Sequence, residues 1–212
     1  MEHKLSIETN TPDLTGIFLK HAETIAKGLE SLDQEKFHHA ADLIIRKIST
    51  NRRIFTIGNG ASAAIANHWA CDYTKGCSSP VTDAPPEVKP RVISLAANVP
   101  LITAISNDIS YNKVFSYQLA RMADAGDLLI AISSSGNSPN IIDALKMARQ
   151  MGVSSISLTG FNGGYCEQWA DINLHVDIYE YEASEDCHQA IMHMIAKYIR
   201  LSLLPIPIRD SE

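Results

Sequence analysis

The segment Leu128–Asn140, LLIAISSSGNSPN, passes directly from a wholly apolar run into three serines, a glycine and a fourth serine, and then into a helical pattern through Asp143, Leu145, Met147 and Ala148. An apolar run this short, ended by small polar residues, reads as a strand buried on both faces. Ser133, Ser134, Ser135 and Ser138 then put hydroxyl donors where a helix N-terminus also aims free backbone N–H groups. Together these donors hold a dianionic phosphate without lysine or arginine. Helix capping alone requires only Ser138. Three further serines exceed that need, so the segment reads as a phosphate cradle.

The same grammar occurs earlier in the chain. Arg53–Ser62, RIFTIGNGAS, is an apolar strand that breaks into Gly58, Asn59 and Gly60 before a helix. Two glycines let the backbone approach a ligand, and the Ser62 hydroxyl can join the donors of the serine turn. Alone, GNGAS is a generic strand-to-helix turn; paired with SSSGNS it becomes specific.

From Arg53 onward strands are expected at 53–57, 91–96, 127–132, 154–159 and 171–176, with helical patterns at 61–75, 99–122 and 138–151 and a short turn at 164–169. That alternation calls for an α/β fold with a five-stranded parallel sheet covered on both faces, and ligands then sit at the carboxyl ends of the strands. Two amphipathic helices precede the sheet, over 11–31 and 33–50, the second with Asp33 as its N-cap. A terminal helix is expected from Ser184, as N-cap, to Leu204, stopped by Pro205 and Pro207. The proline-rich stretch between Gly76 and Arg91 is a loop near the pocket mouth, placed to influence substrate choice.

A chain of 212 residues suits one domain: a helical region over 1–50 and an α/β core over 51–204. The net charge is -6 and there is no basic run, which excludes nucleic acid as a direct partner. No apolar run reaches membrane-spanning length. Cys71, Cys77, Cys166 and Cys187 show no CxxC pairing and the first residues carry no signal core, so a reduced cytoplasmic protein is expected.

Chemistry beyond phosphate has its own candidates. His68 and Asp72 stand one helical turn apart after GNGAS, and Glu185, His188 and His193 lie on the terminal helix. Imidazoles and carboxylates suit zinc. Taken singly, each has a blander reading, as a core or surface histidine or as an acid at a helix start.

On these residues the chain resembles the sugar isomerase (SIS) domain and, within it, the phosphoheptose isomerases. GNGASAAIANHWA, AISNDISYN, GDLLIAISSSGNSPN, SLTGFNGG and the HMIAKYI helix match in order over residues 35 to 203. The resemblance implies a flavodoxin-like SIS fold and a homotetramer built through the N-terminal helices, with sites at subunit interfaces. It also implies zinc held by His68, Asp72, Glu185 and His193, and isomerisation of sedoheptulose 7-phosphate to D-glycero-D-manno-heptose 7-phosphate. Asp72 stands where the family has Glu, Glu185 where it has Gln, and Gly76 where a basic residue is usual. The roles carried over are Asp72, or Glu185 in its place, as base and His193 as partner acid/base. Ser62, Ser133, Ser134, Ser135 and Ser138 hold phosphate, Gly60 belongs to the substrate loop, and Asn59, Asn107 and Asp108 meet sugar hydroxyls. The rival reading is a non-catalytic SIS protein that binds a phosphosugar or, like the replication-initiator-associating relatives, another protein. The titratable residues on both helices weigh against it.

Overall fold

The computed structural model describes residues 12–78 and 87–203. Residues 79–86 of the proline-rich stretch, together with Leu204, Pro205 and Pro207, lie outside them.

Five parallel strands form one sheet in the order β2-β1-β3-β4-β5. They are β1 (Arg53–Gly58), β2 (Arg91–Ser94), β3 (Leu128–Ser133), β4 (Ser154–Thr159) and β5 (Ile172–His175). The strands expected from sequence agree to within two residues at every end. β3 is central and every one of its residues is buried, because alternate side chains serve two different cores. Leu128, Ile130 and Ile132 face α2 (Gln34–Ser49), α3 (Ala61–Gly76) and α8 (Tyr181–Leu203), where Ile44, Trp69 and Ile191 meet them. Leu129 and Ala131 face the other layer, where Leu119, Ile141 and Leu145 pack. That layer is built from α4 (Val99–Asp108), α5 (Ser116–Met122), α6 (Pro139–Met151) and the short α7 (Cys166–Trp169).

α1 (Leu14–Glu30) lies outside this sandwich, on α8. Asp13 caps it by accepting from Thr15 N–H at 3.1 Å, and Asp33 caps α2 as expected, accepting from Glu35 and Lys36 at 2.9 and 3.0 Å. His21 meets Asp186 at 2.8 Å across the α1–α8 contact. Toward the N-terminal end of α1, Leu14, Ile17, Phe18 and Leu19 are between 55% and 76% exposed.

Two expectations need correction. The pattern at 99–122 is not one helix but three pieces, with a 3-10 turn at Tyr111–Lys113 between α4 and α5. The break falls where Ile109 and the extended Ser110 leave the helical region. Ser184 does not cap the terminal helix, which already begins at Tyr181. Its hydroxyl instead donates back to the Glu180 carbonyl at 2.7 Å, a bond available to serine inside a helix, and so Glu185 and Asp186 fall beyond the first turn.

The turn after β1 depends on close backbone approach. A Cβ at Gly58 would lie 2.4 Å from the Ser62 carbonyl oxygen and 2.9 Å from Ala63 N, both main-chain atoms of the first turn of α3. Gly58→Ala is therefore expected to destabilise the fold by on the order of 3 kcal/mol, at the upper end of overpacking costs. Urea denaturation of the two proteins measures the difference, and an unchanged midpoint would show that α3 can shift freely.

Candidate active site

Both small-residue turns open at the carboxyl edge of the sheet. β3 ends at Ser133, the chain turns through Ser134, Ser135 and Gly136, and α6 begins at Pro139 with Ser138 in the capping position. Ser138 makes no side-chain capping bond; its hydroxyl lies 3.4 Å from that of Ser133. Capping therefore does not account for it. The four serines, Ser62 from the start of α3, and Asn59, Tyr181 and Glu185 border a cavity of about 150 Å³ with no lysine or arginine in its wall. Ser62, Ser133 and Ser134 are buried, and the Ser134 hydroxyl has no hydrogen-bond partner. A buried hydroxyl left unpaired costs roughly 1–3 kcal/mol. Here it stands beside a cavity whose other walls are also hydroxyl donors.

The two turns are fastened to each other. Asn59 and Asn140 exchange amide hydrogen bonds, 2.9 Å from Asn59 to Asn140 and 2.8 Å in return, and the Tyr111 hydroxyl donates to the same Asn59 oxygen at 2.8 Å. The interruption at Ser110 thus delivers Tyr111 to the site. From behind, Gly160 N–H donates to the Ser134 carbonyl at 2.8 Å and Cys166 N–H to the Gly136 carbonyl at 2.9 Å. Gly136 has φ +64°, and a Cβ there would sit 2.1 Å from the Gly163 oxygen, so glycine is required at that contact. Gly60 occupies the N-cap position of α3 with φ +54°. Asn140 and Tyr111 were not anticipated. Asn140 sits in the first turn after SSSGNSP and was open to suspicion, whereas nothing local marks Tyr111. Asn107 and Asp108 lie at the exposed end of α4, where Asn107 donates to Asp108 at 2.8 Å; neither is in the cavity wall.

A second cluster forms where α3 meets α8. Nε2 of His68 is 3.1 Å from one Asp72 carboxylate oxygen and Nε2 of His193 is 3.5 Å from the other. The two rings meet edge to face at 5.1 Å. Gln189, which sequence reading passed over although it lies one turn before His193, places its amide 2.8 Å from His68 Nδ1 and 3.2 Å from His193 Nε2. Among the described residues His68, Asp72 and His193 are the convergent metal donors, with ligand atoms within 4.8 Å of one another. Zinc ligands at about 2.0–2.2 Å from a tetrahedral ion lie roughly 3.3 Å apart, so two imidazoles and a carboxylate at these spacings fit a three-ligand catalytic site.

Glu185 is not in that group; it lines the serine cavity. Burial raises its pKa, with Glu182 and Asp186 adding to the effect. His188 turns into the interior, where burial lowers its pKa to about 4 and keeps the ring neutral. At position 76 there is no basic side chain, but the Arg200 guanidinium reaches to 3.4 Å from where a Gly76 Cβ would lie.

Tyr181, Glu185, Gln189 and His193 follow one another at every fourth residue, so a single ridge of α8 joins the two clusters. Eight residues from Glu185 to His193 correspond to about 12 Å of helix. The serine cavity and the imidazoles thus lie along one face of α8.

The SIS domain family matches residues 17–160. The phosphoheptose isomerase of Aliarcobacter butzleri is 38% identical over 182 residues, covering 86% of this chain and 93% of the relative. The probable phosphoheptose isomerase of Thermoplasma acidophilum is 37% identical over 181 residues, 85% of this chain and 96% of the relative. Among solved structures, the phosphoheptose isomerase of Neisseria gonorrhoeae superposes with a TM-score of 0.78 at 29% identity, covering 88% of this chain and 96% of that one. With its fold, the order of its motifs and these likenesses in agreement, the chain belongs to the phosphoheptose isomerase family of SIS domain proteins.

Proposed function

We propose that the protein is an isomerase that converts sedoheptulose 7-phosphate to D-glycero-D-manno-heptose 7-phosphate through an enediolate. The α8 ridge carries this reading, because it joins a hydroxyl-lined anion cavity to an imidazole–carboxylate cluster. The similarity to phosphoheptose isomerases over most of the chain supports it.

Ser62, Ser133, Ser134, Ser135 and Ser138 hold the phosphate by hydroxyl and backbone donors, with Asn59 and Gly60 shaping the turn beside them. Glu185, on the ridge between the cavity and the imidazoles and with its pKa raised by burial, is the base, and it removes the proton from C1 of the ketose. The electron pair of that C–H bond becomes the C1–C2 double bond. Glu185 then returns the proton to C2, while His193 moves a proton from the C1 oxygen to its neighbour through Nδ1, since Nε2 is the nitrogen turned to the metal donors. Asn107 and Asp108 are assigned to sugar hydroxyls by family likeness alone. His68, Asp72 and His193 would hold zinc, which when bound polarises the carbonyl and hydroxyl oxygens. Asp72, bracketed by both imidazoles, serves this group rather than carbon.

The working form we propose is a homotetramer, a single SIS domain per chain, with α1 packing against other copies. The exposed Leu14, Ile17, Phe18 and Leu19 support this, as do the His68 and His193 side chains, 43% and 50% exposed, which a neighbouring copy is positioned to close over. The free thiols of Cys71, Cys77, Cys166 and Cys187 suit the reducing cytoplasm. No helix among the described residues is long and apolar enough to cross a membrane.

The purified protein should convert sedoheptulose 7-phosphate, and Glu185→Gln should lower kcat by about 10²–10⁴-fold, the usual contribution of a general base. The acidic limb of kcat/KM should lie above the ordinary glutamate value of 4.5, and Glu182→Gln should move it to lower pH by removing a negative neighbour. Binding of the phosphosugar with no turnover would favour a sensor instead. Ser134→Ala should raise stability by up to about 1–3 kcal/mol, since a buried unpaired hydroxyl is removed and no bond is lost, yet weaken inorganic phosphate binding about tenfold or more, as expected for a donor to a charged group. Denaturation midpoints with and without phosphate separate the two effects. Phe18→Asp should yield smaller species by sedimentation; an unchanged assembly would remove α1 from the interface.

A further inference from the structure

The Gln189 carboxamide holds no phosphate and moves no proton in the scheme above, yet it lies against both imidazoles, 2.8 Å from His68 Nδ1 and 3.2 Å from His193 Nε2. A neutral imidazole offers a lone pair at one nitrogen only when its proton is on the other. His68 points Nε2 at Asp72 and Nδ1 at Gln189. For Nε2 to be a metal ligand, Nδ1 must carry the hydrogen, and that hydrogen needs an acceptor. The structure turns the Gln189 NH₂ toward both rings, and a half-turn of the carboxamide brings its oxygen to the same place.

The two ends of a carboxamide have nearly the same shape but opposite hydrogen-bonding character. With its oxygen inward, Gln189 accepts from His68 Nδ1–H and leaves the Nε2 lone pairs of both histidines available. With its NH₂ inward, it donates to His68 Nδ1 and to His193 Nε2. The first bond drives the His68 proton onto Nε2, where Asp72 accepts it, and the second occupies the His193 lone pair. One half-turn of this side chain thus opens or closes both imidazoles at once.

We propose that Gln189 is a positioning residue that sets the His68 tautomer and, with its oxygen inward, readies His68 and His193 for a divalent metal. The inference rests on the reading of His68, Asp72 and His193 as metal ligands. It concerns only how those imidazoles are prepared.

Zinc affinity measured by competition with a chromogenic chelator tests it, using the full chain and two variants. Gln189→Leu, which can neither accept nor donate, should bind zinc about 10- to 100-fold more weakly, the usual effect of losing a partner of a metal-bound histidine. Gln189→Glu, which accepts but does not donate, should retain or exceed the parent affinity. Nitrogen-15 NMR of the zinc-loaded parent should find the His68 proton on Nδ1. Inorganic phosphate binding and the urea midpoint should be the same in all three proteins, which isolates the effect from general damage. Equal zinc affinity in parent and Gln189→Leu, or equal weakening in both variants, would overturn the role of Gln189 while leaving the metal reading intact. A parent protein that takes up no zinc would overturn the metal reading and this inference with it.

Discussion

The amide clasp between Asn59 and Asn140 determines whether two separate strand ends form one cavity. β1 and β3 are neighbours in the sheet, but the turns that leave them belong to helices on opposite faces. Nothing in sheet pairing holds those turns at a fixed spacing once the strands end. Two reciprocal amide bonds, with Tyr111 adding a third to Asn59, bring Ser62 and the serine turn to the same space. Side-chain amides suit this task because each presents a donor and an acceptor, so the pair is self-complementary. Without the clasp nothing would hold Ser62 at a fixed distance from the four serines of the other turn.

On the proposed reading this cavity also explains how an acidic chain would accommodate an anion. The wall holds no cation, and Glu185 contributes a carboxylate. A hydroxyl has no charge to neutralise in the empty state and so needs no counter-ion when phosphate is absent. The unpaired Ser134 hydroxyl is the cost of this arrangement, held in place by the bond from Gly160 to the Ser134 carbonyl. Burial and its acidic neighbours raise the Glu185 pKa, so this carboxylate takes up a proton more readily than a free one.

The sheet and its helices were legible because parallel strands buried on both faces leave unbroken apolar runs, as at Leu128–Ile132, and because small-residue turns mark their ends. Asp33 was readable as a cap because capping is local chemistry. Ser184 misled because the same hydroxyl that caps a helix from outside also bonds to the carbonyl four residues back inside one. The break at Ser110 was invisible because its cause is a contact of Tyr111 with a turn some fifty residues earlier, and no local preference encodes it. The same limit applies at the site. The His68–Asp72 pair follows from helical spacing alone, but that His193 joins it while Glu185 faces the serines depends on how α8 is rotated against α3.

That rotation gives the departures from family pattern a common logic. With Tyr181, Glu185, Gln189 and His193 on one ridge, each occupies its own station between cavity and imidazoles, and a change at one position alters one station only. The carboxylate at 185 is one full turn from Gln189 and two from His193, outside the group of metal donors and between them and the serines. The amide that touches the imidazoles comes from 189, neutral and able to present either end. Negative charge near the imidazoles is thereby confined to Asp72, which meets both rings with its two oxygens. A single carboxylate shared between two imidazoles fixes their separation, and the Gln189 amide meets both rings from the side of the ridge. On the proposed reading the shorter side chain of Asp72 suits a residue that braces the histidines and need not reach carbon.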